Sequence, residues 1–533
     1  MKKPFLILIL FLCCLAGLAQ DPVEVMVLMK DQYNRTELCR KAEFVPTRAE
    51  RRDYVVKELQ TFAKASQYDL MLTLSALEQQ GLVSSIHSLW SANALYFTTS
   101  EEVMQFLAER PDIESITHVK QHQWIPETET RHEQQAFYET IAPNIQQVNA
   151  NQVWEQGNMG QGVVIAVVDS GVNYNHVDIA DHLWDGGEAF PHHGYDVVND
   201  DDDPMDDLGH GTHCAGTVCG DGTAWLATGV APEATLMCVK SVRADGFGGT
   251  VNIIGGMEWA VEHGCDAISM SLGVAKAETA DKELFRHACE AILDAGVVVI
   301  VCTGNEGSAL LQNVYPVPNN VRVPASCPPP YLDPDQMENP GGLSCVVAIG
   351  AVDENDTAAY FTSQGPVTWQ DTEFGDYAYE PGIGLIRPDV CAPGVMIWSL
   401  KYDTNNDYDY MSGTSQATPC VAGIVALMLH ENPELTPAAI CQILEETALK
   451  LTPTKSNLTG VGRVDALAAV QAAAEWDAVS ETGNVTEDTF DASTQRVYDL
   501  TGRVVNTNNL APGVYIIQEI DGDKVRTKKI VIR

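Results

Sequence analysis

The sequence predicts an α/β fold with a parallel sheet at its centre, and three apolar runs support this prediction. Two of them are nearly unbroken and rich in β-branched residues, Gly162–Val168 (GVVIAVV) and Ala295–Val301 (AGVVVIV). Unbroken runs of this length are typical of strands buried on both faces. The third run, Cys420–Leu429, has the composition of a buried helix. A chain of 533 residues is long enough for one large domain of this kind with smaller domains beside it.

Polar residues follow each of the two predicted strands. Asp169 comes directly after the first strand, in the sequence DSG, and Asn305 follows the second strand within TGNEG. Because α/β sheets bind their ligands at the carboxyl ends of the strands, both side chains are candidates for a functional site. Both are also common turn residues, so an ordinary turn is the alternative at each position.

Two histidines lie three residues apart in the segment Gly209–Gly216 (GHGTHCAG). The spacing places His210 and His213 on one face at the start of a helix, where a metal pair is one interpretation. The sequence has no HExxH pattern and no cysteine or carboxylate at a convincing ligand spacing, so we expect no metal site here. His210 is expected to point into a cleft, and His213 is expected to be structural.

The most informative serine lies in the segment 411–419 (MSGTSQATP), directly before the apolar helix. Ser415 is therefore expected at a helix N-terminus, where partial positive charge favours a developing oxyanion. An isolated serine in such a place is more often a helix cap. A nucleophilic serine needs a base and an orienting acid, and His210 and Asp169 are the candidates.

Taken together, the segments VVDSG, GHGTHCAG, TGNEG and MSGTSQATPCVAG resemble the signature blocks of the subtilisin-like serine peptidases, in that family's order. The resemblance extends from about Val153 to Ala474, and we assign residues 141–474 to a peptidase domain. A GxSxG motif is absent because Ala417 replaces its last glycine, which disfavours an esterase of the α/β-hydrolase type.

The resemblance implies a role for each of the four polar residues. Ser415 would be the nucleophile, His210 its general base and Asp169 the acid that orients the base. Asn305 would donate a hydrogen bond in the oxyanion hole. The implied activity is hydrolysis of peptide bonds through an acyl-enzyme intermediate.

The resemblance also implies two extended edges that pair with the backbone of a peptide substrate. The residues at the matching positions are Gly246, Phe247 and Gly248 on one edge, Ser271, Leu272 and Gly273 on the other, and Gly304 near the oxyanion hole. Glycine suits such positions because a substrate strand must approach the backbone closely. A flexible surface loop is the alternative for the first edge.

The segment Asn320–Pro324 (NVRVP) matches the loop that closes the family's pocket for P1, the residue before the scissile bond. If Arg322 reaches this pocket, a charge-assisted pair favours Asp or Glu at P1. The alternative is that Arg322 points to solvent.

Composition limits the possible partners and the compartment. The 73 acidic and 32 basic residues give a formal net charge of −41, which excludes a general affinity for nucleic acid and leaves a peptide or protein as the expected substrate. Residues 1–19 combine two lysines, an apolar core and a small-residue end, which is typical of a secretory signal peptide. We expect no cofactor. The acidic segment 199–207 (NDDDDPMDD) is either a calcium site or, as we prefer, a solvated loop.

Twelve cysteines remain after the signal peptide. Most of them occupy apolar positions in predicted strands and helices, where a free cysteine behaves as a small hydrophobic residue. We therefore predict mostly free thiols. Cys327 and Cys345, on either side of an insertion, are the candidate disulfide pair.

Residues 20–122 show the element order β-α-β-β-α-β, with one long helix expected over Thr47–Gln80. The segment Asn93–Thr98 and the helix after it resemble the inhibitory propeptide of subtilisin-like enzymes. This implies a zymogen with its own propeptide as an intramolecular inhibitor, cleaved somewhere between His122 and Ile141. An independent N-terminal domain is the alternative.

The end of the chain changes character. Residues 475–489 are polar and predict a linker, and residues 490–533 predict short strands of a small β-sandwich. The segments VYDLTGR, LAPGVY and KKIVIR resemble the C-terminal sorting domain of type IX secretion in Bacteroidetes. This implies the secretion machinery as a partner and a secreted or cell-surface location. An accessory binding module is the alternative.

These features predict a secreted serine endopeptidase made as a zymogen. Two other hypotheses remain open at this stage. One is a dedicated processing peptidase or transpeptidase, and the other is a catalytically silent surface adhesin on the same fold.

Overall fold

The computed structural model describes residues 22–42, 44–126, 129–131, 140–328, 336, 345–369 and 384–476, together with four strands between residues 495 and 532. The predicted signal peptide and nearly all of the predicted linker lie outside the described residues. None of the helices in the described ranges has the length and apolar character needed to cross a membrane.

The N-terminal region, residues 22–126, is built on a small antiparallel sheet covered by helices. Its elements are β1 Val23–Met29, α1 Arg35–Ala42, α2 Arg48–Ser66, α3 Tyr68–Glu78, β2 Ser84–Leu89, β3 Ala94–Thr99, α4 Glu101–Ala108, β4 Ile113–His118 and the short β5 Gln121–Gln123. The first four strands pair in the order β2-β3-β1-β4. The predicted element order is present, with α1 as an additional helix.

The single long helix that the sequence predicts over residues 47–80 is in fact two helices, α2 and α3, separated at Gln67. This side chain is buried, and its amide hydrogen-bonds Asn93, the carbonyl oxygen of Ala94 and the hydroxyl of Ser88. These bonds tie the chain to the β2–β3 hairpin, so the helix is interrupted where the sequence pattern remains helical.

The central region, residues 140–476, follows the short strand β6 Glu129–Arg131 and alternates helices with strands. Its helices are α5 Pro143–Gln147, α6 Ala150–Trp154, α7 His210–Cys219, α8 Thr250–Glu262, α9 Thr279–Asp294, α10 Ala309–Gln312, α11 Thr414–Glu431, α12 Pro437–Thr447 and α13 Ala466–Glu475. Its strands are β7 Val164–Asp169, β8 Gly194–Asp196, β9 Thr235–Lys240, β10 Phe247–Gly249, β11 Ala267–Met270, β12 Val298–Cys302, β13 Val347–Val352, β14 Val390–Pro393, β15 Ile397–Leu400, β16 Tyr408–Ser412, β17 Leu449–Lys450 and β18 Gly462–Arg463.

One nine-stranded sheet organises this region, in the order β17-β18-β14-β13-β12-β11-β7-β9-β8. All neighbouring strands are parallel except β17 and β18. Side chains of β7 alternate between two cores: Ile165 and Val167 pack with α7 and α11, whereas Ala166 and Val168 pack with α8 and α9. Burial on both faces explains the unbroken apolar run, and the α/β prediction is confirmed.

The C-terminal strands are β19 Gln495–Asp499, β20 Val504–Val505, β21 Gly513–Asp521 and β22 Lys524–Ile532. They form one antiparallel sheet in the order β20-β19-β21-β22. The predicted strands are therefore present. The second sheet that a sandwich requires is not among the described residues.

All twelve cysteines after the signal peptide are free, and all but Cys39 are buried. This confirms the prediction of mostly free thiols. Cys327 and Cys345 lie in thiol hydrogen-bond contact without a disulfide bond, so the predicted pair is close in space but not joined. Burial raises the pKa of both thiols, which disfavours the reactive thiolate form.

Candidate active site

An ion pair between Asp169 and His210 lies at the carboxyl edge of the large sheet. Asp169 is the last residue of β7, which lies between β9 and β11. His210 is the first residue of α7, and its Nδ1 lies 2.7 Å from Oδ1 of Asp169. Both side chains are buried. The structure therefore joins two residues that the sequence predicted separately.

Glycines make this close approach possible. A Cβ at Gly211 would lie 2.1 Å from the carbonyl oxygen of Gly171, so a larger residue would push the start of α7 away from the loop after β7. Gly209 precedes the helix with φ 101°, in the left-handed region that favours glycine.

The charge of Asp169 controls the protonation of His210. Burial by itself lowers the pKa of His210, because a charged imidazolium is poorly solvated there. The negative charge of Asp169 and its hydrogen bond outweigh this effect, so the pKa of His210 lies well above its usual value. The pair thus stabilises the imidazolium that forms when His210 accepts a proton.

A second buried carboxylate, Asp206, connects the loop after β7 to the start of α7. Its Oδ1 accepts hydrogen bonds from the Ser170 hydroxyl and the Gly209 N–H, both at 2.9 Å. Its Oδ2 accepts from the Thr212 N–H at 2.9 Å and hydroxyl at 2.6 Å. Ser170 adjoins the aspartate of the ion pair and Gly209 adjoins its histidine. Asp206 therefore holds both in position, a role that sequence analysis missed although an acid just before a helix start is a recognisable capping signal.

Ser415 is the second residue of α11 and is fully buried. Its Oγ donates a hydrogen bond to the carbonyl oxygen of Ser271 at 3.3 Å. Nε2 of His210 is buried and has no hydrogen-bond partner among the described residues. The serine therefore lies at the site, but its hydroxyl is bonded to the main chain and not to the histidine.

Cys214 lies between the histidine and the serine and was not identified from the sequence. Its Sγ donates to the carbonyl oxygen of Ser415 at 3.5 Å and lies 4.0 Å from Nδ1 of His210. Burial raises the pKa of this thiol. Ligand atoms of Asp169, His210 and Cys214 all lie within 4.8 Å of one another. Two of these three residues form the ion pair, so we interpret the group as part of the catalytic site.

Asn305 follows β12 and lies next to the residue that precedes Ser415. Its Oδ1 accepts hydrogen bonds from the N–H and the hydroxyl of Thr414, both at 2.9 Å. These bonds orient the amide so that Nδ2 faces Gly413, where an added Cβ would lie 3.0 Å away. The amide donor is thus held beside the backbone of Ser415, as an oxyanion hole requires.

His213, one turn after His210, is a structural residue, as predicted. It is fully buried, and its Nε2–H donates to the carbonyl oxygen of Ile397 at 3.1 Å. Burial and the nearby His210 lower its pKa to about 3, so the ring stays neutral.

The two predicted substrate edges lie on either side of the end of the N-terminal region. β10 pairs antiparallel with β5. The carbonyl oxygen of Gly246 accepts from the Trp124 N–H at 3.1 Å, and the Gly273 N–H donates to the Trp124 carbonyl oxygen at 2.9 Å. The indole is fully buried and donates to the carbonyl oxygen of Gly248 at 2.8 Å. Residues 121–124 therefore occupy the lane between the two edges, which we call the cleft.

The other predicted cleft residues have distinct positions. The Ser271 carbonyl oxygen accepts from Ser415, and Leu272 is fully buried in the core below the edge. Phe247 is 37% exposed on the first edge. Gly304 has φ 108°, and its N–H donates to the Thr414 hydroxyl at 3.1 Å.

A second pairing continues on the other side of the serine. β6 pairs antiparallel with β16, and Glu129 lies opposite Ser412, three residues before Ser415. The described residues 121–126 and 129–131 thus contact segments that flank the serine on its two sides.

Arg322 is buried, so the alternative in which it points to solvent is wrong. Its Nε and Nη2 donate to Oε1 of Glu306 at 2.9 and 2.6 Å. Its Nη1 donates to the carbonyl oxygen of Gly273 at 2.7 Å. The guanidinium therefore reaches the cleft edge, as the first alternative required.

Carboxylates of the acidic segment 199–207 take part in local contacts. Asp207 pairs with Lys240 at 2.6 Å, and Asp203 accepts from the Tyr174 hydroxyl at 2.8 Å. These contacts give the segment a structural role. Calcium binding there stays a prediction.

A buried aspartate–histidine pair beside a helix-terminal serine, at the carboxyl edge of a parallel sheet, defines a serine peptidase site. Comparison with known proteins identifies the family. The model of the Subtilase family matches residues 160–466, more than half of the chain, so the chain belongs to the subtilase family. It is a subtilisin-like serine endopeptidase, a hydrolase of peptide bonds.

Individual relatives agree with this assignment. Serine protease AprX of Bacillus subtilis is 33% identical over 337 residues, covering 58% of this chain and 66% of the relative. Subtilisin DY of Bacillus licheniformis is 31% identical over 333 residues, covering 62% of this chain and all of the relative. Subtilisin E of Bacillus subtilis is 31% identical over 360 residues, covering 68% and 79%.

Proposed function

We propose that the chain is an exported peptidase whose Ser415, His210, Asp169 and Asn305 carry out peptide hydrolysis, and that its N-terminal region keeps it latent until cleavage. The catalytic part rests on one observation, the buried 2.7 Å ion pair beside a serine at a helix N-terminus. The latency rests on the pairing of residues 121–124 with both edges of the cleft.

The residues divide the catalytic steps among them. Rotation of the Ser415 side chain exchanges its bond to the Ser271 carbonyl for one to Nε2 of His210, which accepts the proton as the serine attacks. Asp169 stabilises the resulting imidazolium. Asn305 and the Ser415 N–H donate to the oxyanion, and His210 then returns the proton to the leaving amine. Water repeats the sequence to release the acyl group.

Docking of the N-terminal region extends well beyond the cleft. Arg35 forms a two-bond ion pair with Asp294 of α9, at 2.7 and 2.6 Å. The Ser91 N–H donates to Oε1 of Glu258 in α8 at 2.7 Å, where both residues are buried. Together with the buried indole of Trp124, these contacts support a segment that stays bound and excludes substrate.

Activation is expected to cut the chain between Trp124 and Glu129, a narrower window than the sequence indicated. These two residues contact cleft segments on opposite sides of Ser415, so the bonds between them are the ones within reach of the nucleophile. Purified wild-type protein should acquire a new N-terminus in this window, measured by N-terminal sequencing during incubation. Ser415→Ala protein should remain intact, and processing of this variant at the wild-type rate would contradict self-cleavage.

Export is proposed to use the signal peptide at residues 1–19 and the C-terminal segment 490–533. Deletion of residues 484–533 should leave the enzyme in the periplasm, because the segment that resembles a sorting domain is gone. The measurement is the distribution of peptidase antigen between periplasm and medium or cell surface. Deletion of residues 1–19 is the control and should retain the chain in the cytoplasm. Unchanged export of the C-terminal deletion would contradict the sorting role.

A further inference from the structure

The floor of the cleft beside the oxyanion hole is formed by the side chain of Arg322. A Cβ added to Gly304 would lie 2.9 and 3.0 Å from its Cγ and Cδ, and one added to Gly273 would lie 2.8 Å from its Cβ. The arginine stem therefore passes between the two cleft glycines. The carbonyl that binds beside Asn305 belongs to the P1 residue, so the P1 side chain must leave the substrate backbone close to Gly304.

We propose that Arg322 makes the mature enzyme prefer an acidic side chain at P1. This inference rests on the proposed function, because it assumes that Ser415 and Asn305 define the scissile bond. The substrate class it names is a protein or peptide with Glu or Asp immediately before the cleaved bond.

The orientation of the buried ion pair supports an attractive site for an anion. Glu306 binds the Nε and Nη2 side of the guanidinium, and its other oxygen, Oε2, accepts from the Ser363 hydroxyl at 2.9 Å. Nη1 points the opposite way, to the cleft edge at Gly273. The cationic end of the pair thus faces the cleft, and the carboxylate is held on the far side.

The donors of Arg322 are not exhausted by these contacts. Its remaining Nη1 hydrogen is shared between the carbonyl oxygens of Gln123 and Trp124, each at 3.4 Å. Such long bonds are weak, and both acceptors leave with the N-terminal region. Of its two Nη2 hydrogens, one is used by Glu306, which leaves the other without an acceptor among the described residues. A P1 carboxylate would receive charge-assisted bonds from these groups.

The chain's own sequence agrees with this preference. Four residues separate Trp124 from Glu129, and Glu127 is the acidic one among them. The activation window therefore contains a bond that follows an acidic residue. A lysine at P1 would instead meet the cationic end of the pair.

The test uses the processed full-length enzyme and three peptides that differ only in having Glu, Gln or Lys at P1. We expect kcat/KM for Glu to exceed that for Gln by about 10- to 100-fold, the range for charge-assisted hydrogen bonds, with Lys lowest. Arg322→Met should remove the preference for Glu over Gln. Glu306→Gln should increase it, because the cation then lacks its counter-charge. Lys276→Met, which removes a cation at an exposed position near the cleft, is the matched control and should leave the ratio unchanged.

The outcomes separate the two proposals. A wild-type ratio of one or less, or an unchanged ratio in Glu306→Gln, would overturn the role of Arg322 while peptidase activity remained. If Arg322→Met does not fold, the wild-type ratio and the Glu306→Gln ratio still decide the question. Absence of hydrolysis of all three peptides would overturn the proposed function and this inference with it.

Discussion

Ser415→Ala is expected to lower kcat for peptide hydrolysis by about 10⁶-fold, the size of the loss when the equivalent serine of subtilisin is removed. The hydroxyl is the only group at the helix start that can form the acyl-enzyme, so the remaining groups provide binding and oxyanion stabilisation alone. The protein itself should stay folded, because the lost contact is one 3.3 Å hydrogen bond to the Ser271 carbonyl oxygen. The measurement is single-turnover hydrolysis together with the thermal unfolding midpoint.

A second buried serine supplies the matched control for this variant. The Ser326 hydroxyl is buried and has no hydrogen-bond partner among the described residues, so Ser326→Ala should keep both activity and stability. A serine-directed phosphonate should label the wild type and the control at Ser415, but not Ser415→Ala. Activity within tenfold of wild type in processed Ser415→Ala protein would refute the assignment of the nucleophile.

Asp169→Asn is expected to lower kcat by about 10⁴-fold and to move the acid limb of the pH profile. The reaction needs neutral His210, so kcat/KM rises as pH increases through the pKa of this residue. Asp169 holds that pKa well above the usual value, and its removal should move the limb to lower pH. The measurement is kcat/KM of processed enzyme between pH 5 and pH 10, a range chosen to bracket a raised histidine pKa.

Asp207→Asn is the matched control for this second variant. Asp207 is a half-exposed neighbour in the same acidic segment, and it pairs with Lys240 instead of with the histidine. Its loss should leave kcat and the acid limb within about twofold of wild type, because the charge is screened by solvent. An acid limb that stays in place in Asp169→Asn would mean that another group sets the pKa of His210.

The catalytic residues could be predicted from the sequence because their signals are local. Asp169 and Asn305 each follow a strand whose apolar run is unbroken, and Ser415 precedes a helix with an equally clear pattern. The carboxyl ends of parallel strands meet at one edge of the sheet, so predicting the strands also predicts that these residues converge. The split βαβ order of the N-terminal region was predictable for the same reason.

Other features depend on contacts between distant segments and left no local signal. The break at Gln67 arises from bonds to the β2–β3 hairpin, and the buried course of Arg322 arises from Glu306 and the Gly273 carbonyl. The thiols of Cys327 and Cys345 proved to be neighbours without being joined.

By itself the sequence determined the family, the parallel sheet and the residues at its carboxyl edge, because each is encoded in a run of fewer than twenty residues. Only the tertiary structure decided where the N-terminal region ends, which is between the two edges of the cleft, and how Arg322 is neutralised. Both depend on backbone hydrogen bonds and ion pairs between segments more than a hundred residues apart or on different loops. Such pairings follow from how the finished surfaces fit together, which no local pattern of apolar and polar residues specifies.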